Sequence, residues 1–181
     1  MDVPDLKIYP KALVCEESNI KGDVIVSAGC VIHPHCNINA ENGSIIFGEN
    51  CIVEEYATIS NKNKSPGNYE ILYIGCNNVF EVGCTVEALK IGDKNVFEAK
   101  SIVSNEVEIS NGCIIGAGCR LEGKQTLLEN TVIYGNDCLQ REALEKQGSQ
   151  ILQIDYLRKL LPNYHHLRKS NYDPKKIRSA V

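Results

Sequence analysis

Tryptophan is absent, methionine occurs once and phenylalanine three times, so a packed interior is left mainly to aliphatic side chains and cysteine. Among the nine cysteines there is no Cys-x-x-Cys spacing, which removes the commonest signature of a structural zinc site. Histidine is scarce: His33, His35, His165 and His166 are all the chain has. No stretch is long and apolar enough to span a bilayer. Met1 to Asp5 lacks a basic region followed by an apolar run, so no signal peptide and a cytosolic setting are expected. Basic residues are not interleaved with aromatic ones, which argues against a surface that stacks nucleic-acid bases.

What is present fits one compact soluble unit, with 43% hydrophobic and 23% charged residues over 181 positions. Charge divides unevenly. From Arg158 onward seven Lys or Arg stand against Asp173, and the remainder is acidic enough to bring the net charge to −4. The basic end is expected to be solvated and partly flexible, with an acidic protein surface as the alternative contact.

The dominant signal is periodic. Ile8, Val14, Ile20, Val26, Ile32 and Ile38 fall at six-residue steps. After three extra residues the frame resumes at Phe47, Val53 and Ile59, breaks for an insertion at 60–73, and returns at Ile74, Phe80 and Val86. One residue is then dropped, and from Ile91 the frame runs unbroken to Leu139. Such a period identifies a solenoid.

Four places after the guide the residue is usually small or polar, as at Ser18, Cys30, Cys36, Cys51, Ala57, Cys84, Ser101, Cys113 and Cys119. That place lies two residues before the next guide, so both point to one face of a short strand. Three places after the guide, Gly or Asn recurs at Gly29, Asn50, Asn77, Gly83, Gly112, Gly118, Asn130 and Asn136, residues that accept positive φ. A strand and a corner every six residues, three to a coil, make a triangular parallel β-helix. Six cysteines on the interior place read as small core residues. Cys30 stacks over Cys51 within bridging span, yet free thiols are expected, because both point into the core of a reduced protein.

Ile91-Gly92-Asp93-Lys94-Asn95-Val96 and Ile114-Ile115-Gly116-Ala117-Gly118-Cys119 resemble the repeat of left-handed β-helix proteins, a family holding acyltransferases, γ-class carbonic anhydrases and two small dynactin subunits. The left hand follows from this likeness alone, since parallel crossovers are otherwise right-handed. Ile32-His33-Pro34, Asn78 to Cys84, Asn130 to Gly135 and Leu161 to Leu167 are similar to the dynactin subunit 6 family. That resemblance implies a non-enzymatic subunit at the pointed end of dynactin, in the cytoplasm, on the cytoskeleton and at kinetochores during mitosis. It implies dynactin subunit 5, dynactin subunit 4 and the pointed-end actin-related protein as neighbours. Dynein cargo adaptors would be reached indirectly, for microtubule-based transport. No cofactor, metal, nucleic acid or membrane insertion is implied.

Two segments leave the repeat. The insertion at 60–73 carries loop chemistry in Asn61 to Asn68 and is expected to project from a corner. Ser149 reads as an N-cap for a helix that Pro162 ends. Ile151, Ile154, Leu157 and Leu161 form one apolar stripe on it. The expected organisation is an all-β solenoid over 1–145, the helix and a docking segment over 146–168, and a basic tail over 169–181.

An enzyme of this fold is the alternative, either a divergent γ-carbonic-anhydrase-like hydratase or a hexapeptide acyltransferase. The first binds zinc through three histidines shared between subunits. Here His33 and His35 lie in one hexad, and His35 sits at the corner place. Lys21-Gly22-Asp23 is only faintly similar to the Arg-x-Asp stretch of that class. Glu16-Glu17 and Glu54-Glu55 are adjacent pairs whose side chains diverge, so solvated charge is expected rather than an acid and base. Gly116-Ala117-Gly118 serves a corner and does not precede a helix as phosphate-binding glycines do. No catalytic, cofactor or metal residues are assigned.

Overall fold

Parallel pairing follows the hexad frame directly. In the computed structural model, which describes residues 5–62, 64–65 and 68–173, guide rests on guide from coil to coil. Ile8 is in register with Val26, Val14 with Ile32, Phe80 with Phe97, Val103 with Leu121, and Ile115 with Ile133. The chain forms a left-handed parallel β-helix of about seven coils with one short C-terminal helix. The first face carries the guides Ile8 to Leu127, the second Val14 to Ile133, and the third Ile20 to Leu121. Between them the guides and the small interior residues fill one continuous core. Phe80 and Phe97 stack face to face there, with ring centroids 4.7 Å apart.

The corners show how strongly the coil governs the backbone. Positive φ occurs at Gly29, His35, Asn50, Asn77, Gly83, Gly112, Gly118 and Asn130, as expected, but also at Lys11, Tyr56, Lys94 and Lys100. All stand three places after a guide. Left-handed backbone costs an ordinary residue roughly 1–2 kcal/mol, so stacking imposes the corner and residue type only sets its cost. His35 is thus a corner residue (φ 61°), and its ring stacks on that of Tyr56 (φ 60°) one coil above.

Two departures concern strand length. Asn19–Val26 and Asn37–Phe47 run through the corner between the third and first faces as single strands, with a bulge between Gly22 and Val24. Gly22 (φ 75°) is required at that bulge, because a β-carbon would lie 2.5 Å from the carbonyl of Ala40. The Lys21-Gly22-Asp23 string therefore has a backbone explanation.

The frame also ends earlier than its period suggests. Leu139 is no guide: Leu139–Glu142 folds back antiparallel on Thr131–Tyr134, and Leu139 is exposed. Asn136 makes no corner, the reversal being made through Gly135 and Cys138, both at positive φ. An antiparallel strand closes the second face where another parallel coil would have exposed its edge.

The helix spans Ile151–Leu160 and passes into a 3-10 turn, Leu161–Asn163, that contains Pro162. Its N-cap is Gln150, while the hydroxyl of Ser149 accepts a bond from the Ile151 N–H at 3.4 Å. Ile154, Leu157 and Leu161 pack on Val31, Ile52 and Val79 of the second face. Burial of such side chains contributes about 1.5–3 kcal/mol each before ordering costs. Ile151 departs from the expected stripe and is 54% exposed. Among the described residues no helix is long and apolar enough to cross a membrane.

Beyond the helix the chain returns to the first coil. Leu167 bridges Cys15, the Glu16 N–H donates to His166 O, and the Arg168 N–H donates to Val14 O. Asn171 brackets the first strand, its Oδ1 accepting from the Ile8 N–H at 2.7 Å and its Nδ2 donating to Leu6 O at 2.6 Å. Tyr172 lies 5.1 Å from Tyr9, ring to ring. Residues 169–172, assigned on sequence to a flexible tail, are thus tied to the coil; 174–181 lie outside the described residues. The insertion holds a two-stranded antiparallel hairpin, Lys64–Ser65 with Asn68–Tyr69, and residues 63, 66 and 67 of it lie outside the described residues. Buried Asn61 fixes its base by donating to the carbonyls of Ser44 and Glu70.

Candidate interaction surface

Each short strand turns its guide inward and the preceding residue outward, so each wall displays one column of side chains. On the second wall the column is apolar throughout: Leu13, Val31, Ile52, Val79, Val96, Ile114 and Val132. The helix covers its N-terminal part, packing on Leu13 through Val96. The third wall is mostly polar, with Asn19, Asn37, Thr58 and Thr85 in line, and the Asn19 amide donates to Asn37 at 3.0 Å. On the first wall Ile25, Ile46 and Tyr73 give way to Lys90, Glu108 and Thr126.

Histidines and glutamates meet where the C-terminal segment docks. His33, placed just after guide Ile32, has Nδ1 3.0 Å from Glu55 Oε1, and His165 Nδ1 lies 3.2 Å from Glu17 Oε1. Burial opposes ionisation of Glu55, yet the bond from His33 and a local backbone bond hold its carboxyl below the ordinary 4.5. A local backbone bond and then His165 lower that of Glu17. Glu54 moves the other way, raised by burial and by nearby Glu81 against the bond it accepts from the Val82 N–H. Glu54, Glu81 and Glu98 form a ladder, each accepting a corner N–H from Val82, Ala99 or Ala117. Glu54-Glu55 and Glu16-Glu17 therefore do more than solvate: one member of each pair is bound to a histidine. His33 and His165 are brought near one docking seam, whereas His35 stays at its corner. Among the described residues no group of three His, Cys, Asp or Glu is placed to hold a metal ion.

The interior place holds a second polar column, beyond the small residues anticipated there. Asn78 and Asn95, four places after Ile74 and Ile91, are fully buried. Asn78 Oδ1 accepts from the Asn95 N–H at 2.9 Å and Asn95 Oδ1 from the Cys113 N–H at 2.8 Å. Their amides donate to the carbonyls of Gly75, Gly92 and Ser110. The hexad frame alone could have located them, since it puts them in line with Cys51 and Cys113. All nine cysteines are free thiols. Burial pushes Cys15 up to about 11 and Cys36 and Cys84 up to about 12, which keeps them protonated and inert. Cys30 donates to Gly48 O at 3.0 Å and Cys51 to Gly75 O at 3.1 Å, so the pair that the repeat brings together is packed as thiols.

Comparison with known proteins gives one consistent assignment. No family model matches the sequence. Dynactin subunit 6 of Nematostella vectensis is 48% identical over 172 residues, covering 92% of this chain and 94% of the relative. The family is thereby shown. The chain belongs to the dynactin subunit 6 family. Its Xenopus tropicalis member is 49% identical over 172 residues, covering 92% of this chain and 86% of that one. In three dimensions the chain is similar to a hexapeptide transferase family protein from Anaplasma phagocytophilum, with a TM-score of 0.68 at 18% identity over 88% of each chain. That likeness shows the fold and no more. For this dynactin subunit 6 family member the wall columns, the docking seam and the coil ends are what the fold offers to other molecules.

Proposed function

We propose that the chain is a non-enzymatic dynactin subunit that sits at the pointed end and pairs one to one with the related β-helical dynactin subunit 5. Dynactin subunit 4 and the pointed-end actin-related protein are its further neighbours. Its part is to help dynein engage cargo through adaptors for microtubule-based transport, in the cytoplasm on the cytoskeleton and at kinetochores in mitosis. Similarity to dynactin subunit 6 relatives, at 48% and 49% identity over 92% of the chain, carries this reading. The geometry supports it: a stacked prism is rigid and presents broad walls and coil ends to a partner, while His33 and His165 are engaged by Glu55 and Glu17.

Affinity purification of the tagged chain from cells, followed by mass spectrometry, is expected to recover the pointed-end subunits in stoichiometric amounts. Size-exclusion chromatography with light scattering should give a one-to-one complex on co-expression with dynactin subunit 5. A stable homotrimer that ignores that partner would sink the reading in favour of an enzyme. Metal analysis of the purified chain is expected to find well below one zinc per chain, with no hydration of carbon dioxide.

A further inference from the structure

The two ends of the prism are finished differently. At the N-terminal end, residues 166–172 lie over the first strands, Leu6–Ile8 and Leu13–Val14. At the C-terminal end, among the described residues, only the second face is closed, by Leu139–Glu142. The first and third faces stop at Gln125–Leu127 and Arg120–Leu121, the terminal strands of their sheet.

Along these two faces, the residue after each guide donates its N–H to the next coil. Gly92 reaches Ile109 O at 3.0 Å and Ser104 reaches Leu121 O at 2.9 Å. Glu122 and Leu128 hold the equivalent places in the last coil, where no further parallel coil follows among the described residues. Leu128 itself is 73% exposed. An uncovered strand edge is a template for another strand.

The occupant can be narrowed. A second copy cannot continue the stack head to tail, because its own first coil is occupied by residues 166–172. Two copies meeting by their last coils would run antiparallel and lose the parallel register of these faces.

We infer that the C-terminal end is the seat of the first coil of a different left-handed β-helix, added in parallel register to Arg120–Leu121 and Gln125–Leu127. The inference rests on the pairing proposed above and names the surface that makes it. Its partner is a hexapeptide-repeat chain whose N-terminal coil is bare.

The test uses the full chain co-expressed with full-length dynactin subunit 5. Leu128→Arg places charge on the exposed end. Glu122→Pro removes an outward N–H while suiting the first central position of a type II turn, since Gly123 follows at φ 74°. Thr58→Arg and Tyr73→Arg alter the third and first walls instead. The end variants, folded by circular dichroism, are expected to bind at least tenfold more weakly, and the wall variants within twofold of the parent. In the unaltered complex, hydrogen exchange at the Glu122 and Leu128 amides should slow, a readout that does not depend on any variant folding. Loss of binding in the wall variants with full binding in the end variants overturns the seat while leaving the pairing intact. A homodimer broken by Leu128→Arg overturns the choice of occupant, and no complex at all removes the pairing and this inference with it.

Discussion

An amide inside an aliphatic prism costs free energy unless its polar atoms are bonded, and Asn78 and Asn95 meet that condition through their neighbours' backbone. Asn95→Leu keeps approximate volume but strips partners from the Cys113 N–H and Ser110 O. Leaving such groups unsatisfied costs about 1–3 kcal/mol each, so a drop of several degrees in thermal midpoint is expected by calorimetry. Ile115→Asp buries an unpaired carboxylate between coils and should cost several times more, while Lys124→Ala, on the surface, should change little. Similar small shifts for Ile115→Asp and Lys124→Ala would mean that the frame is misread. Acid sensitivity also resides in single residues. The Glu55 carboxyl lies below its ordinary 4.5 in the folded chain, so its stabilising contribution is present above that value and lost as pH falls through the lowered one. Glu54, raised by burial, has the opposite sign. Urea unfolding at pH 7 should therefore show Glu55→Gln less stable than the parent and Glu54→Gln no less stable, with the Glu55→Gln deficit shrinking toward pH 3. These pairings were not legible in sequence, because the partners of Glu17 and Glu55 come from other coils and from the far end of the chain.

At the level of elements, strands and helix answer to different rules. Two- and three-residue strands have no stability of their own; their guides hold them by stacking on the coils above and below, which is why the hexad frame located them well. The helix was legible from its stripe, but the stripe overreached at Ile151. Spacing says which residues share a helix face, whereas burial depends on where the supporting wall begins, and Ile151 lies past the contact. Leu157→Ala is expected to cost about 2–4 kcal/mol and Ile151→Ala less than about 0.5 kcal/mol, a contrast that denaturant titration reads directly. The antiparallel strand at Leu139–Glu142 was missed for a related reason. Leu139 fits the period by coincidence of spacing, and only the reversal through Gly135 and Cys138 decides that the coil stops.

For the whole molecule the asymmetry of the ends governs association. Residues 166–172 close the first coil, and among the described residues the last coil is closed on one face of three. Removing residues 166–173 should bare the first coil and allow head-to-tail stacking on the open end, the contact type that propagates without closure. Analytical ultracentrifugation is expected to show concentration-dependent oligomers for the truncated chain and none for the intact one. Truncated protein that stays monomeric at high concentration would argue that the edges do not pair.

The sequence by itself determined the repeat, the coil register, the interior columns and the existence of the helix, because each is a local period that burial enforces at every turn. What only the tertiary structure decided was where the period ends, which histidine meets which glutamate, and that the segment after the helix returns to the first coil. Those contacts join residues nearly the whole chain apart, such as His165 with Glu17 and Asn171 with Ile8. No spacing along the chain encodes them; they exist because a stacked prism has two ends and one of them lies within reach of its own C-terminal segment.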